Sequence, residues 1–349
     1  LIAGMMFRTI EAREAPPARN GRNTLRGAWL RSRTIVVGAL FCLNPGAAEL
    51  AFGAPDPTAE AELGQRLFFD AILSEDRTVR CASCHKPEFA YADDTAYSVG
   101  INGTSTTRNV PSAMNTAARV TLFWDGRAGS LEEQALGPIA NPAEMGLPID
   151  SAIGRLNADR GYSEAFRRIF GGPATAKTLA RAIAAFERTL ETANSPYDRY
   201  ENGDSTALSA AAARGRLLFI GKANCAQCHS GEDFTSDRFK NIGLYNGKDL
   251  ADRGRGAISG RHEDDGAFKV PSLRNVAVTA PYMHNGMFMT LREVIEYYNN
   301  PASKVNDAVN RDPALSGSLG LSDREIADLE AFLYALTDDR FSTKSLASQ

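Results

Sequence analysis

Cys81-Ala82-Ser83-Cys84-His85 and Cys225-Ala226-Gln227-Cys228-His229 are the same short string written twice in one chain. C-x-x-C-H is the attachment signature of c-type haem. Two cysteines three apart lie on one face of a helical turn, so their sulfurs can add to the two vinyl groups on one edge of a porphyrin. The histidine that follows brings an imidazole nitrogen under the iron as proximal ligand. The alternative is a zinc or disulfide pair. Zinc asks for further Cys or His ligands beside each pair, and the chain has only five Cys and four His. Cys81, Cys84 and His85, with Cys225, Cys228 and His229, therefore read as the sites of two covalently bound c-type haems.

At 349 residues the chain is long enough for two domains. It is 43% hydrophobic and 23% charged, the balance of an ordinary soluble globular protein. Residues 1–54 hold seven Arg and three acidic residues; the remainder holds 32 basic against 39 acidic. Nothing in this balance points to nucleic acid, and an acidic body suits a basic protein partner. Arg26, Arg31 and Arg33 precede an apolar run over residues 35–43, followed by small residues at Gly46-Ala47-Ala48 and Ala51-Phe52-Gly53-Ala54. That is a secretory signal pattern, and the run is short for a membrane span. The alternative is an uncleaved anchor. Cys42 lies inside the run and would leave with it. Covalent c-type haem belongs to an exported compartment, so the expected location is periplasmic, with the signal cleaved and no stable membrane span.

Outward from the two strings, the chain repeats itself. Leu63-Gly64-Gln65-Arg66-Leu67-Phe68 recurs loosely as Arg214-Gly215-Arg216-Leu217-Leu218-Phe219, so each half begins helix, loop, haem. Downstream, Val110-Pro111-Ser112 matches Val270-Pro271-Ser272 at an offset of 160. Kept without a gap, that offset sets Asn115 on Asn275, Trp124 on His284, Gly126 on Gly286, Leu131 on Leu291 and Glu133 on Glu293. One supersecondary plan is used twice. Residues 58–70 have helical periodicity, residues 149–200 are rich in helix signals, and residues 179–186 are an amphipathic run. Ser195-Pro196-Tyr197-Asp198-Arg199-Tyr200 ends that region, and Asn202-Gly203-Asp204-Ser205 reads as a linker. Ser322 with Glu325 makes a capping box for a C-terminal helix. The expected fold is mainly α, two c-type cytochrome domains related by an internal repeat, with long loops and little strand. The expected division is a targeting segment over 1–54, one haem domain over 55–204 and a second over 205–349.

With these segments placed, the chain resembles the bacterial di-haem cytochrome c peroxidase family over nearly all of residues 58–340. The motifs are both C-x-x-C-H strings, Arg108-Asn109-Val110-Pro111-Ser112, Phe123-Trp124-Asp125-Gly126-Arg127, and Ala280-Pro281-Tyr282-Met283-His284-Asn285-Gly286. The resemblance implies an N-terminal haem that reacts with hydrogen peroxide, a C-terminal haem that passes electrons in, and a calcium ion between the domains. Typical members place a distal Met on the C-terminal haem; a MauG-like branch places a Tyr there and leaves the N-terminal haem open.

No histidine lies between Lys86 and Cys228, so the first iron is expected to be five-coordinate at rest. Gln134-Ala135-Leu136-Gly137-Pro138, followed by Glu144, matches the family's distal-pocket pattern. Gln134 would orient peroxide and Glu144 would shuttle a proton between its oxygens; the alternative for Glu144 is a solvated loop residue. The repeat sets Tyr298 on Pro138. If Pro138 lies over the first iron, Tyr298 lies over the second, and the family's distal ligand, fourteen residues after His284, falls on the same residue. A phenolate lowers the potential where a Met thioether raises it. Tyr297 is the neighbouring alternative, and Met283, Met287 and Met289 are rivals by chemistry alone. The resemblance makes Trp124 an electron relay between the haems, against plain packing. His284 would be a structural or propionate contact, and His262, in the charged loop 261–265, solvated. The calcium pattern falls on Asn109, Thr279 and Pro281, whose amide and carbonyl oxygens suit a hard cation; otherwise these residues only shape turns.

The expected function is a periplasmic di-haem peroxidase of the MauG-like branch. Its reductant would be a small c-type cytochrome or copper protein, or it would act on a protein substrate. The reading from another class is a non-enzymatic di-haem electron-transfer cytochrome. A carrier normally saturates both irons, whereas an open iron beside Gln134 and Glu144 favours an enzyme.

Overall fold

A computed structural model describes residues 57–341. The expected signal segment over 1–54 lies outside the described residues. In chain order the α-helical segments are α1 (Pro57–Phe68), α2 (Cys81–Cys84), α3 (Leu131–Ala140), α4 (Ile149–Ala158), α5 (Arg160–Phe170), α6 (Ala176–Glu187), α7 (Pro196–Glu201), α8 (Ala210–Ile220), α9 (Arg255–Ser259), α10 (Leu291–Asn299) and α11 (Asp323–Tyr334). Among the described residues the only sheet is a two-residue antiparallel pair, β1 (Phe239–Lys240) with β2 (Phe268–Lys269), in the register Phe239↔Lys269. The fold is mainly α, as the sequence implied.

Each half is built on one close helix crossing. α1 buries Leu63, Gly64, Leu67 and Phe68, spaced along one helical face. A Cβ on Gly64 would fall 1.8 Å from the carbonyl oxygen of Ala182 and 2.9 Å from Phe186 Cβ, both on α6. In the second half a Cβ on Gly215 would fall 1.9 Å from the Asp328 carbonyl oxygen and 2.9 Å from Phe332 Cβ on α11. The pair α1/α6 is therefore repeated as α8/α11, with glycine at the point of backbone contact in both.

The repeat continues through the loops at the offset of 160. Phe123 and Met283 both take positive φ, 65° and 72°, as do Asn115 and Asn275, 58° and 60°. The bridges Leu122↔Ala128 and Tyr282↔Phe288 close matching turns. α3 and α10 then start alike. Ser130 accepts from Glu133 N and Thr290 from Glu293 N, while each glutamate accepts a backbone N–H from just before its helix. The box of Ser322 with Glu325 opens α11. Residues 195–200 close the helical region as the short helix α7, where Ser195 and Asp198 cap reciprocally and Pro196 suits a first helical position.

One hydrophobic cluster runs from Leu63 through Leu73, Ile139 and Phe166 to Ile183, and another from Phe219 through Leu244, Tyr297 and Phe332 to Leu336. The halves meet through a hydrogen bond made twice. Asn109 N donates to His284 O at 2.7 Å, and Lys269 N donates to Trp124 O at 2.8 Å. Both partners are repeat mates, so the junction has an approximate two-fold character.

The Gly64 crossing gives a test with a built-in control. In an open helix position Gly→Ala stabilises by up to about 1 kcal/mol, and Gly154 on α4 has no atom within 4 Å of an added Cβ. At Gly64 the added methyl meets backbone, so overpacking, about 1–3 kcal/mol, wins over propensity. Denaturant unfolding followed by circular dichroism should show Gly154→Ala gaining and Gly64→Ala losing stability. A Gly64→Ala protein as stable as its parent would contradict the crossing.

Candidate active site

His85 Nδ1 lies 2.9 Å from the Tyr91 carbonyl oxygen, and His229 Nδ1 lies 3.0 Å from that of Phe234. An Nδ1–H that donates to a carbonyl leaves the Nε2 lone pair free for a metal. Burial lowers the pKa of both imidazoles while the carbonyls pull it back, so both are held neutral. The four cysteines of the two strings are free thiols. Burial pushes the thiols of Cys81 and Cys225 up to about 12. Among the described residues no three His, Cys, Asp or Glu side chains converge as a metal set. The first string is an α-turn; the second is a 3-10 turn over Cys225–Gln227, entered through Asn224 at φ 51°.

A cavity of about 510 Å³ opens beside Cys81, Cys84 and His85, within the roughly 300–1,000 Å³ usual for cofactor sites. Two thiols, one imidazole with a free Nε2 and a space of this size fit a covalently attached haem. The same walls carry Gln134 and Pro138 from α3, Trp124, and Glu144 from the loop after α3. Gln134 and Pro138 are one turn apart, so the capped start of α3 presents both on one side. Glu144 Oε1 accepts from Asn141 Nδ2 at 2.7 Å, and its backbone oxygen accepts from Ile101 N at 2.9 Å. Burial raises the Glu144 pKa, while Asn141 and the Arg127 guanidinium oppose it. Arg127 itself lies 3.4 Å over the Phe123 ring and pairs with Asp125.

Pro138 and Tyr298 occupy matching places in the last turns of α3 and α10. The two adjacent tyrosines differ. Tyr297 is fully buried and donates its hydroxyl to the Ile242 carbonyl at 2.7 Å. Tyr298 makes no such bond; burial raises its pKa, and Tyr297, Cys225 and Cys228 add to the effect. Its phenol thus lies within electrostatic reach of the second pair of sulfurs. Met287 and Met289 are exposed.

A smaller cavity of about 170 Å³ lies at the junction and is lined by Asn109, Trp124, Lys269, Thr279, Pro281 and Met283, among others. Trp124 Nε1 donates to the Asn109 carbonyl at 2.8 Å. Asn109 Nδ2 donates to the Thr95 carbonyl at 3.1 Å, which leaves Oδ1 as a free acceptor on the residue that shares this cavity with Thr279 and Pro281. His284 is buried and stacks on Phe268 with ring centroids 3.6 Å apart. Burial pushes its pKa to about 4, against the pull of Asp252 and helped by Arg108, so the ring is neutral. His262 is exposed and contacts Asp265 at 3.2 Å.

The sequence reading gave no role to three residues here, of which it named only Arg108, as part of a motif. Arg108 binds Asp252 with two parallel hydrogen bonds of 2.7 and 2.8 Å and Asp125 with a third of 2.6 Å. Lys269, the repeat mate of Asn109, pairs with Asp237 at 2.6 Å and donates to the Thr121 carbonyl. Glu187 is a buried carboxyl on the cavity face of α6. The offset could have singled out Lys269, and a glutamate four residues after Ile183 on an apolar stripe could have singled out Glu187.

Known proteins resemble the chain over most of its length. Residues 58–206 match the family model for di-haem cytochrome c peroxidase, and residues 212–337 match that for cytochrome c. The methylamine utilization protein MauG of Methylorubrum extorquens is 41% identical over 279 residues, 78% of this chain and 77% of that protein. The cytochrome c551 peroxidase of Nitrosomonas europaea is 35% identical over 290 residues, 82% of each. Among solved structures, a MauG-like protein associated with microbial copper homeostasis superposes with a TM-score of 0.72 at 33% identity, over 86% of this chain and 99% of that one. The diheme peroxidase BthA from Burkholderia thailandensis gives 0.71 at 28% identity, over 82% and 87%. Two haem-attachment turns on a fold built twice, with relatives of this kind along most of its length, establish that the chain belongs to the di-haem cytochrome c peroxidase family, oxidoreductases of the peroxidase type whose members carry two c-type haems.

Proposed function

We propose that the two halves divide the reduction of hydrogen peroxide to water between them. The domain over 55–204 would take peroxide, and the domain over 205–349 would pass electrons to it. One observation carries this reading: at matching places in α3 and α10 the first half has Pro138, which offers no ligand, and the second has Tyr298. One site is open to a small molecule; the other has a phenol available for the second iron. Tyrosine at that place puts the protein in the MauG-like branch.

Each turnover takes one peroxide, two electrons and two protons to two waters. The haem, when bound, supplies the centre at which the oxygen–oxygen bond is broken and the store for the electrons. The chain supplies the rest. The Gln134 amide orients peroxide. Glu144, held by Asn141 and raised in pKa by burial, takes a proton from one peroxide oxygen and returns it to the other, so that water can leave. Trp124, at the junction cavity, links the two redox sites. Tyr298 and His229 would hold the second haem, and a phenol oxygen beside it would disfavour its reduction. A calcium ion held by the Asn109 amide and the carbonyls of Thr279 and Pro281 would brace the junction. Electrons would come from a small c-type cytochrome or copper protein, or from residues of a protein substrate. The periplasm is the proposed location; among the described residues no helix is long and apolar enough to cross a membrane.

Three measurements test this. Pyridine haemochrome analysis of denatured, washed protein should find two covalent haems per chain, and one after Cys225→Ala with Cys228→Ala. Glu144→Gln keeps size and polarity but removes the acid–base group. Peroxide turnover should fall about 10²–10⁴-fold with both haem spectra close to the parent; unchanged turnover would make Glu144 a bystander. Tyr298→Phe removes only the oxygen. Resonance Raman and electron paramagnetic resonance should then show the second haem five-coordinate or water-bound, with a raised potential. Parent-like signals would remove Tyr298 as the ligand.

A further inference from the structure

Glu187 is the last residue of α6, and only 7% of it is exposed. Its Oε2 is buried without a hydrogen-bond partner. With Ile183, one turn earlier, it lines the same cavity as Cys81, Cys84 and His85. A buried carboxylate with no partner is expensive, and such a group responds by holding its proton. Burial pushes the Glu187 pKa up to about 8; Arg188 pulls it down and Glu132 pushes it further up.

The charged and titratable surroundings are few. Cys81 comes from α2, Glu132 from α3 and Arg188 from the end of α6 itself. Arg80, Arg108, Asp125, Arg127 and Glu144 line the same cavity. On α1, Glu60 is occupied by Arg181 at 2.6 Å, and on α4, Arg155 is occupied by the carbonyls of Ile72 and Ser74. None of these bonds the Glu187 carboxyl.

The second half shows that the fold does not require this carboxyl. Ala182 and Phe186 meet Gly64 as Asp328 and Phe332 meet Gly215. Farther along, Leu190 O accepts from Asn115 N as Leu336 O accepts from Asn275 N. In this register Glu187 corresponds to Leu333, which is 8% exposed in the second core. A leucine serves the packing there. The carboxyl is found only beside the cavity of the first haem.

We propose that Glu187 is a redox-linked proton site of the N-terminal haem, taking one proton from solvent when that haem gains one electron and releasing it when the electron leaves. The reason is electrostatic. Ferric haem carries one positive charge more than ferrous haem, and a nearby positive charge favours the carboxylate. An arriving electron removes that charge, and the carboxyl then binds its proton. The proton is held more tightly in the reduced state, so the potential of the first haem falls as pH rises between the two pKa values and is flat outside them. Burial has already raised this carboxyl well above the ordinary carboxylate range, which moves the window toward neutral pH. The proposal rests on a haem in this cavity and not on the roles given to Glu144 or Tyr298.

Spectroelectrochemical titration of the holoprotein from about pH 6 to about pH 9 brackets the group. In the parent, the first-haem potential should fall toward the one-proton limit of about 59 mV for each tenfold change in proton concentration. Glu187→Gln should flatten it. So should Glu187→Leu, which carries the residue of the second half and guards against a variant that fails to fold. Glu144→Gln should keep the parent's slope, and the second haem should respond alike in all four proteins. Reduced-minus-oxidised infrared spectra should show a protonated carboxyl band in the parent and lose it in both Glu187 variants. A parent with no slope, or a slope that survives both substitutions at Glu187, would overturn the proposal. A slope lost only in Glu144→Gln would move the proton site to Glu144 and overturn it equally.

Discussion

A backbone carbonyl holds the imidazole of each C-x-x-C-H string: that of Tyr91 holds His85, and that of Phe234 holds His229. Both carbonyls come from bulky residues at positive φ, 57° and 52°, a conformation that neighbours must enforce. The enforcing groups are visible. Ser112 Oγ donates to the carbonyl of Ala90, just before Tyr91, and Ser272 Oγ donates to that of Asp233, just before Phe234. The repeated Val-Pro-Ser segment thus has a physical purpose. It pins the turn whose next carbonyl selects the imidazole tautomer, and the tautomer decides whether Nε2 can bind iron at all. Helix crossings, caps and loops all converge on placing that one hydrogen bond twice.

Once the two halves share this frame, function lies where they differ. Pro138 faces Tyr298 across the repeat, Trp124 faces His284, Asn109 faces Lys269, and Glu187 faces Leu333. The Asn109–Lys269 difference is instructive. Lys269 brings an ammonium to the carbonyl of Thr121, while Asn109 brings an amide to the cavity shared with Pro281, the mate of Thr121. Both residues line the one junction cavity, so the repeat sets an ammonium and an amide on the same space.

Much of this was legible before any coordinates. The paired strings, the offset that joins Pro138 to Tyr298, the box at Ser322 and the scarcity of strand all follow from local pattern. They are legible because capping, glycine placement and motif spacing act over a few residues. What stayed hidden depends on distant partners. Glu187 sits in an amphipathic helix whose buried face is set only when α1 and α3 are in place. Arg108 and Asp252 are 144 positions apart, and no periodicity links them.

That last pair bears on how charge could move between the halves. Across the junction the halves exchange ion pairs in both directions: Arg108 with Asp252 and Arg119 with Asp233 and Asp237 at 2.5 and 2.8 Å, and in the opposite sense Arg274 with Asp198 at 2.5 Å. Arg108 also binds Asp125, and Lys269 also binds Asp237, so these fixed charges nearly cancel locally. His284, between Arg108 and Asp252 electrostatically, stays neutral because burial outweighs the pull of Asp252. A region with balanced fixed charges and a neutral imidazole imposes little electrostatic bias on an electron crossing it. The bias is then set away from the junction, and under the proposal above the group whose proton follows the electron is Glu187, which lines the first cavity at the place where the repeat has Leu333.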